Sequence, residues 1–72
     1  MAHLRYFVVD DQSVWKIDFI GQLYGDFQSE REAVSNAIEK AFSDSMSGHK
    51  ADILIRDKVT GHFKVAWSYG RG

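Results

Sequence analysis

Apolar and polar positions along this chain follow two rhythms, one of period two and one of period near 3.6. Leu4 to Val9 is a row of β-formers, with Tyr6-Phe7-Val8-Val9 unbroken, and reads as a strand. The polar residues Asp10-Asp11-Gln12-Ser13 break it as a turn. Val14 to Ile20 is a second strand, in which Trp15, Ile17 and Phe19 alternate with Lys16 and Asp18. So short a break makes the two strands an antiparallel hairpin. A turn is expected at Gly21-Gln22, followed by an extended segment from Leu23 to Phe27.

The rhythm then changes. Ser29-Glu30-Arg31-Glu32 has the form of a capping box, and Glu30 and Glu32 suit the positive end of a helix. Ala33, Val34, Ala37, Ile38, Ala41, Phe42 and Met46 fall on one helical face, while Glu39, Lys40, Ser43 and Asp44 occupy the other. Gly48 sits where a left-handed residue ends a helix, so the helix is expected over about Glu30 to Ser47. Ala51 to Arg56 is a strand with Ile53, Leu54 and Ile55 at its centre, and period two returns in Phe63 to Tyr69, the two joined by a turn at Asp57-Lys58-Val59-Thr60-Gly61. The order β-β-(β)-α-β-β predicts an α+β fold: an antiparallel sheet with one amphipathic helix packed on one face. Gly70-Arg71-Gly72 reads as a tail.

One helix covers one side of such a sheet. Alternation predicts that Tyr6, Val8, Trp15, Ile17, Phe19, Ile53, Ile55, Phe63, Val65 and Trp67 face it. The opposite side would then hold Arg5, Phe7, Val9, Lys16, Asp18, Leu54, Arg56, His62, Lys64 and Ala66. Phe7, Val9 and Leu54 form the apolar part of that open face, and Arg5, Lys16, Arg56 and Lys64 its basic part.

Composition narrows the choices. The 72 residues suffice for a single domain over 1–72, and so small a core is marginally stable. Small domains add disulfides, a metal or a second copy of themselves. Cysteine is absent, which removes disulfides and thiolate metal sites and fits a reducing, cytoplasmic setting. A net charge of −1 gives the whole chain no nucleic-acid signature. The charge is nevertheless uneven. Lys50, Arg56, Lys58, Lys64 and Arg71 outnumber Asp52 and Asp57 after the helix, whereas the helix itself is acidic. Phe7-Val8-Val9 is too short an apolar run for a membrane span or a signal-peptide core.

Candidate chemistry is sparse. His3, His49 and His62 lack the spacing of a metal site and are assigned structural or solvent roles. Asp10 and Asp11, and likewise Asp26 and Asp57, are read as turn formers. No G-x-S-x-G elbow, G-x-G-x-x-G loop or P-loop is present. No catalytic residue, metal, cofactor or small-molecule ligand is therefore expected, and the chain is read as a non-enzyme. Trp15 and Trp67, on alternating strands opposite an apolar helix, are assigned to the core.

Taken in order, several segments resemble a family of short bacterial domains of unknown function. They are the Tyr6-Phe7-Val8-Val9 opening, Trp15-Lys16-Ile17, the Ser29-Glu30-Arg31-Glu32-Ala33 helix start, the Asp57…Gly61 turn and the closing Ser68-Tyr69-Gly70. The resemblance spans nearly the whole chain. It implies a small α+β fold and supplies no activity, cofactor or site residue. The chain departs from the pattern in having no glycine in its first turn.

The sequence thus points to a small interaction module that self-associates as a homodimer, burying Phe7, Val9 and Leu54 across a two-fold axis. Two other readings use the same surface. One is weak single-stranded nucleic-acid binding, with Phe7 stacking and Arg5, Lys16, Arg56 and Lys64 meeting phosphates. The other is a solvated face on a domain that acts through a different protein partner.

Overall fold

The computed structural model describes residues 2–70. Arg71 and Gly72, read above as part of a tail, lie outside the described residues. The chain runs β1 (His3–Asp11), β2 (Val14–Phe19), β3 (Gln22–Phe27), α1 (Glu30–Met46), β4 (Lys50–Arg56) and β5 (Phe63–Tyr69). All five strands form one sheet in the spatial order β3-β2-β1-β4-β5, with the helix on one side.

The class is α+β, as the patterning predicts, but the sheet is mixed. β1 and β4 are parallel, pairing Tyr6 with Ile53 and Phe7 with Leu54, while the other three pairings are antiparallel. The reason is topological. Three strands precede the helix, so β3 runs in the same direction as β1. The helix then carries the chain back, and β4 starts again in that direction. Landing beside β1, it can only pair in parallel.

The first two connections are tighter than the polar residues suggest. Asp10 and Asp11 belong to β1, opposite Trp15 and Val14, and the turn is Gln12-Ser13 alone. Both turn residues have positive φ, 51° and 74°. This is the backbone of a two-residue turn whose twist matches that of its strands. The second turn is Ile20-Gly21, one residue earlier than expected, also with positive φ at both positions. In β3, Gly25 has a φ of 90°, and a Cβ there would fall 2.2 Å from the Phe27 ring. Only glycine fits this irregular step between the Trp15–Phe27 and Ile17–Tyr24 pairs.

The helix starts and stops as its sequence requires. Ser29 Oγ accepts from the Glu32 amide at 3.2 Å, and the Glu32 carboxylate accepts from the Gln28 amide at 2.9 Å. At the far end, Gly48 takes a φ of 89° and the His49 amide returns to the Asp44 carbonyl at 3.1 Å. The helix buries Ala33, Val34, Ala37 and Ala41 against Tyr6, Val8, Ile17, Ala51 and Ile53. The three small alanines let the helix backbone approach β1 and β4. Phe42 and Met46, assigned to the same stripe, are exposed. They lie at its margin, where Phe42 meets the Tyr69 ring edge-on with centroids 6.4 Å apart.

The last strand corrects the facing assignment. The β4–β5 register shifts by one residue between the pairs Ile53–Trp67 and Leu54–Val65. This bulge at Ala66 reverses the alternation over Phe63 to Val65. Phe63 and Val65 therefore share the open face with Leu54 and Arg56, and Lys64 shares the helix side with Ile55. Trp67 does face the helix side, but it remains 43% exposed because β5 reaches beyond the helix.

Candidate interaction face

The open face is built on the two central strands. Phe7 of β1 and Leu54 of β4 are direct neighbours, and Val9 follows along β1 beside Lys16. All three are half-buried. The bulge in β5 brings two further apolar residues to them. The Phe63 ring meets Phe7 edge-on with centroids 5.1 Å apart, and Val65, 53% exposed, lies opposite Leu54. Sequence reasoning placed Phe63 and Val65 on the wrong side, because a single bulge outweighs strict alternation.

The four basic residues do not act as one group. The Arg56 guanidinium lies over the Phe63 ring, 5.2 Å from its centroid. Lys16 is held by Asp26 and by the Gly25 carbonyl, each at 3.1 Å. Asp26 is thus a strand residue that pairs with a lysine, and the turn role assigned to it does not apply. Lys64 lies on the other side of the sheet and pairs with Asp57 at 3.6 Å. Arg5 remains on the open face, beside a groove of about 410 Å³ that His3, Phe7, Asp18 and Ile20 also line. The face therefore carries both signs of charge.

Asp52 is the buried polar group of this face, with 5% of its surface exposed. Its carboxylate accepts from Ser68 Oγ at 2.5 Å and meets His3 Nε2 at 2.6 Å. Burial alone would push the Asp52 carboxyl up. The hydrogen bonds from Ser68 and His3, with the positive charge of Lys50 nearby, outweigh it and hold the group below the usual carboxylate range. The three residues come from β1, β4 and β5, and only the strand order brings them together. The one sequence signal was an aspartate inside the apolar run Ala51 to Ile55. Ser68 and His3 both turn to Asp52, one to each carboxylate oxygen, and no direct Ser68–His3 bond is formed among the described residues.

On the helix side, the buried Tyr6 hydroxyl donates to Asp44 at 2.5 Å. Burial first, and then this bond to a carboxylate, pushes the Tyr6 hydroxyl well above its ordinary value. Asp57 is a turn former as predicted: its carboxylate accepts from the Val59 amide at 2.7 Å and the Thr60 amide at 3.3 Å. Those backbone bonds hold its carboxyl below the usual range.

Among the described residues, no three His, Asp or Glu side chains are grouped to hold a metal ion, and no helix is long and apolar enough to cross a membrane. Comparison of the chain with protein-family models, curated proteins and solved structures found no match.

Proposed function

We propose that this protein is a small, non-enzymatic interaction module that pairs with a second copy of itself through its open sheet face. The observation that carries this reading is the apolar ridge of Phe7, Leu54, Phe63 and Val65, flanked by Arg5 and Arg56 on one hand and Asp18 on the other. A surface with both signs of charge suits its own copy, because a two-fold axis can set Arg5 of one chain against Asp18 of the other. The molecule's two longer dimensions are 34 and 25 Å, a face comparable with the roughly 800 Å² per partner that stable interfaces bury.

The nucleic-acid reading has less support. Lys16 and Lys64 are engaged by Asp26 and Asp57, Lys64 is on the wrong side, and Asp18 and Asp52 would repel phosphates. The non-enzymatic part draws on the sequence, which carries no G-x-S-x-G elbow, G-x-G-x-x-G loop or P-loop. A reducing, cytoplasmic setting belongs to the same proposal and draws on the absence of cysteine. So does kinship with the bacterial family, which draws on the order of the strand, helix and turn motifs.

The test is light scattering behind a sizing column over a wide loading range, on the wild type and on Phe7→Asp and Val65→Asp. The expected result is a wild-type dimer and two monomeric variants that keep the wild-type circular dichroism. A wild-type monomer at the highest concentration would sink the proposal, and a single-stranded nucleic-acid titration would follow.

A further inference from the structure

A line of four polar side chains crosses the open face from β1 to β5. Arg5 Nη2 lies 3.3 Å from His3 Nδ1, His3 Nε2 lies 2.6 Å from Asp52, and Ser68 Oγ lies 2.5 Å from the other Asp52 oxygen. The donor inventory fixes the proton on the ring. A guanidinium can only donate, so Nδ1 accepts from Arg5. An ionised carboxylate can only accept, so Nε2 donates to Asp52. His3 is thus a neutral imidazole with its proton on Nε2, and Arg5 depends on that neutrality.

A second proton on His3 would fall on Nδ1. It would set N–H against N–H and two cations within about 4 Å of each other. The bond from Nε2 to Asp52 would survive and strengthen, while the contact with Arg5 would be lost. The other charged or titratable groups around His3 do not cancel this change. Lys50, its partner on β4, adds positive charge, and Ser68 of β5 is already turned to Asp52. His49, after the helix, is engaged by the Ala2 amide at 3.1 Å. β2 contributes Asp18, which shares the groove with Arg5 and is the carboxylate open to a released guanidinium. The helix packs on the opposite side of the sheet, and β3 lies beyond β2.

The geometry points to a proton-operated release of Arg5: protonated His3 frees the guanidinium to turn to Asp18 of its own chain, which weakens the pairing of two copies. This inference rests on the proposed pairing of open faces, because it consumes the Asp18 carboxylate that a second copy would use. Histidine side chains change charge between about pH 5 and 8, so the pairing is tight at the upper end of that range and loose at the lower.

The experiment is a dilution series by sedimentation at about pH 7.5 and about pH 5.5, run beside an NMR titration of the His3 ring and the Arg5 Nε–H. The wild-type dimer is expected to weaken by about tenfold at the lower pH, within the usual range of linked effects. The Arg5 resonance should move with the His3 ring. His3→Gln, whose amide can both donate to Asp52 and accept from Arg5, should dimerise equally at both pH values. Arg5→Gln, which removes the responding cation, should also lose most of the dependence. A wild-type dimer equally tight at both pH values, or an Arg5 resonance that ignores His3, overturns the inference alone. A monomer under both conditions overturns the pairing of faces and the inference together.

Discussion

The two sides of this sheet are built to different rules. On the helix side, contact is made by alanines and by aliphatic residues with almost no exposed surface, such as Ile17, Ile53 and Val8. On the open side, Phe7, Val9 and Leu54 are half-buried, and charged groups stand among them. The covered side is held by close packing against one helix, where lost volume cannot be refilled. The open side is held by edge-on rings and by polar bonds between neighbouring strands. Substitutions of apolar residues on the two sides should therefore differ in what they cost: stability on the covered side, and on the open side the proposed association.

The largest effect should come from Ile53→Ala on the covered side. It removes a fully buried side chain at the helix–sheet contact and should cost about 2–5 kcal/mol in chemical denaturation. In so small a domain that is enough to leave much of the protein unfolded. An Ile53→Ala variant as stable as wild type would mean that the helix does not pack there.

Next come the two buried polar contacts, each expected to be worth about 1–3 kcal/mol. They should separate at opposite ends of the pH scale. Asp52, on the open side, has its carboxyl held below the ordinary value. Its contribution is complete above about pH 4, the unfolded value, and is lost as the pH falls through the lower folded one. Tyr6, on the covered side, has its hydroxyl pushed above the ordinary value. Its contribution is complete below about pH 10 and is lost as the pH rises further. Asp52→Asn should flatten the acid limb of the stability profile, and Tyr6→Phe the alkaline limb. Urea melts across pH would read both, and a change on the wrong limb would exchange the assigned roles.

The smallest effect on stability should be that of Val65→Ser, at an exposed position of the open side. It should change the unfolding free energy by no more than about 0.5 kcal/mol. If it does more, Val65 belongs to the core and the bulge at Ala66 has been assigned to the wrong place.

Much of this architecture could be read from the chain because it is local. The capping box at Ser29, the glycine exit at Gly48 and the alternation in β2 are each specified by residues within one turn or one strand of each other. The third strand is marked by nothing more than the pair Leu23-Tyr24 between Gly21 and Gly25, with Phe27 beyond, yet the expected Leu23 to Phe27 differs from the observed strand by one residue. What the sequence did not disclose is what depends on distant neighbours. The parallel pairing of β1 with β4 follows from where the helix sets the chain down. The bulge at Ala66 has no residue signature, since alanine neither demands nor forbids it. The company of Asp52 could not be found until β1, β4 and β5 were known to lie side by side. On the open face, strict alternation puts Phe7, Val9 and Leu54 on the side where the structure has them. It misplaces Lys64, and it assigns Phe63 and Val65 to the core.

The place of β1 in the middle of the sheet has a consequence in time. β1 leaves the ribosome before β3, the helix and β4, and β2 can close on it as a hairpin within microseconds. Its other edge must wait. His3 finds Lys50 and Val8 finds Ile55 only after the third strand and the whole helix have been made. At about 5–20 residues per second, that leaves the Tyr6-Phe7-Val8-Val9 edge unpaired for seconds in the nascent chain. The slow step of folding should therefore be the capture of β4, and the young chain is most open to mispairing with other strands before it happens.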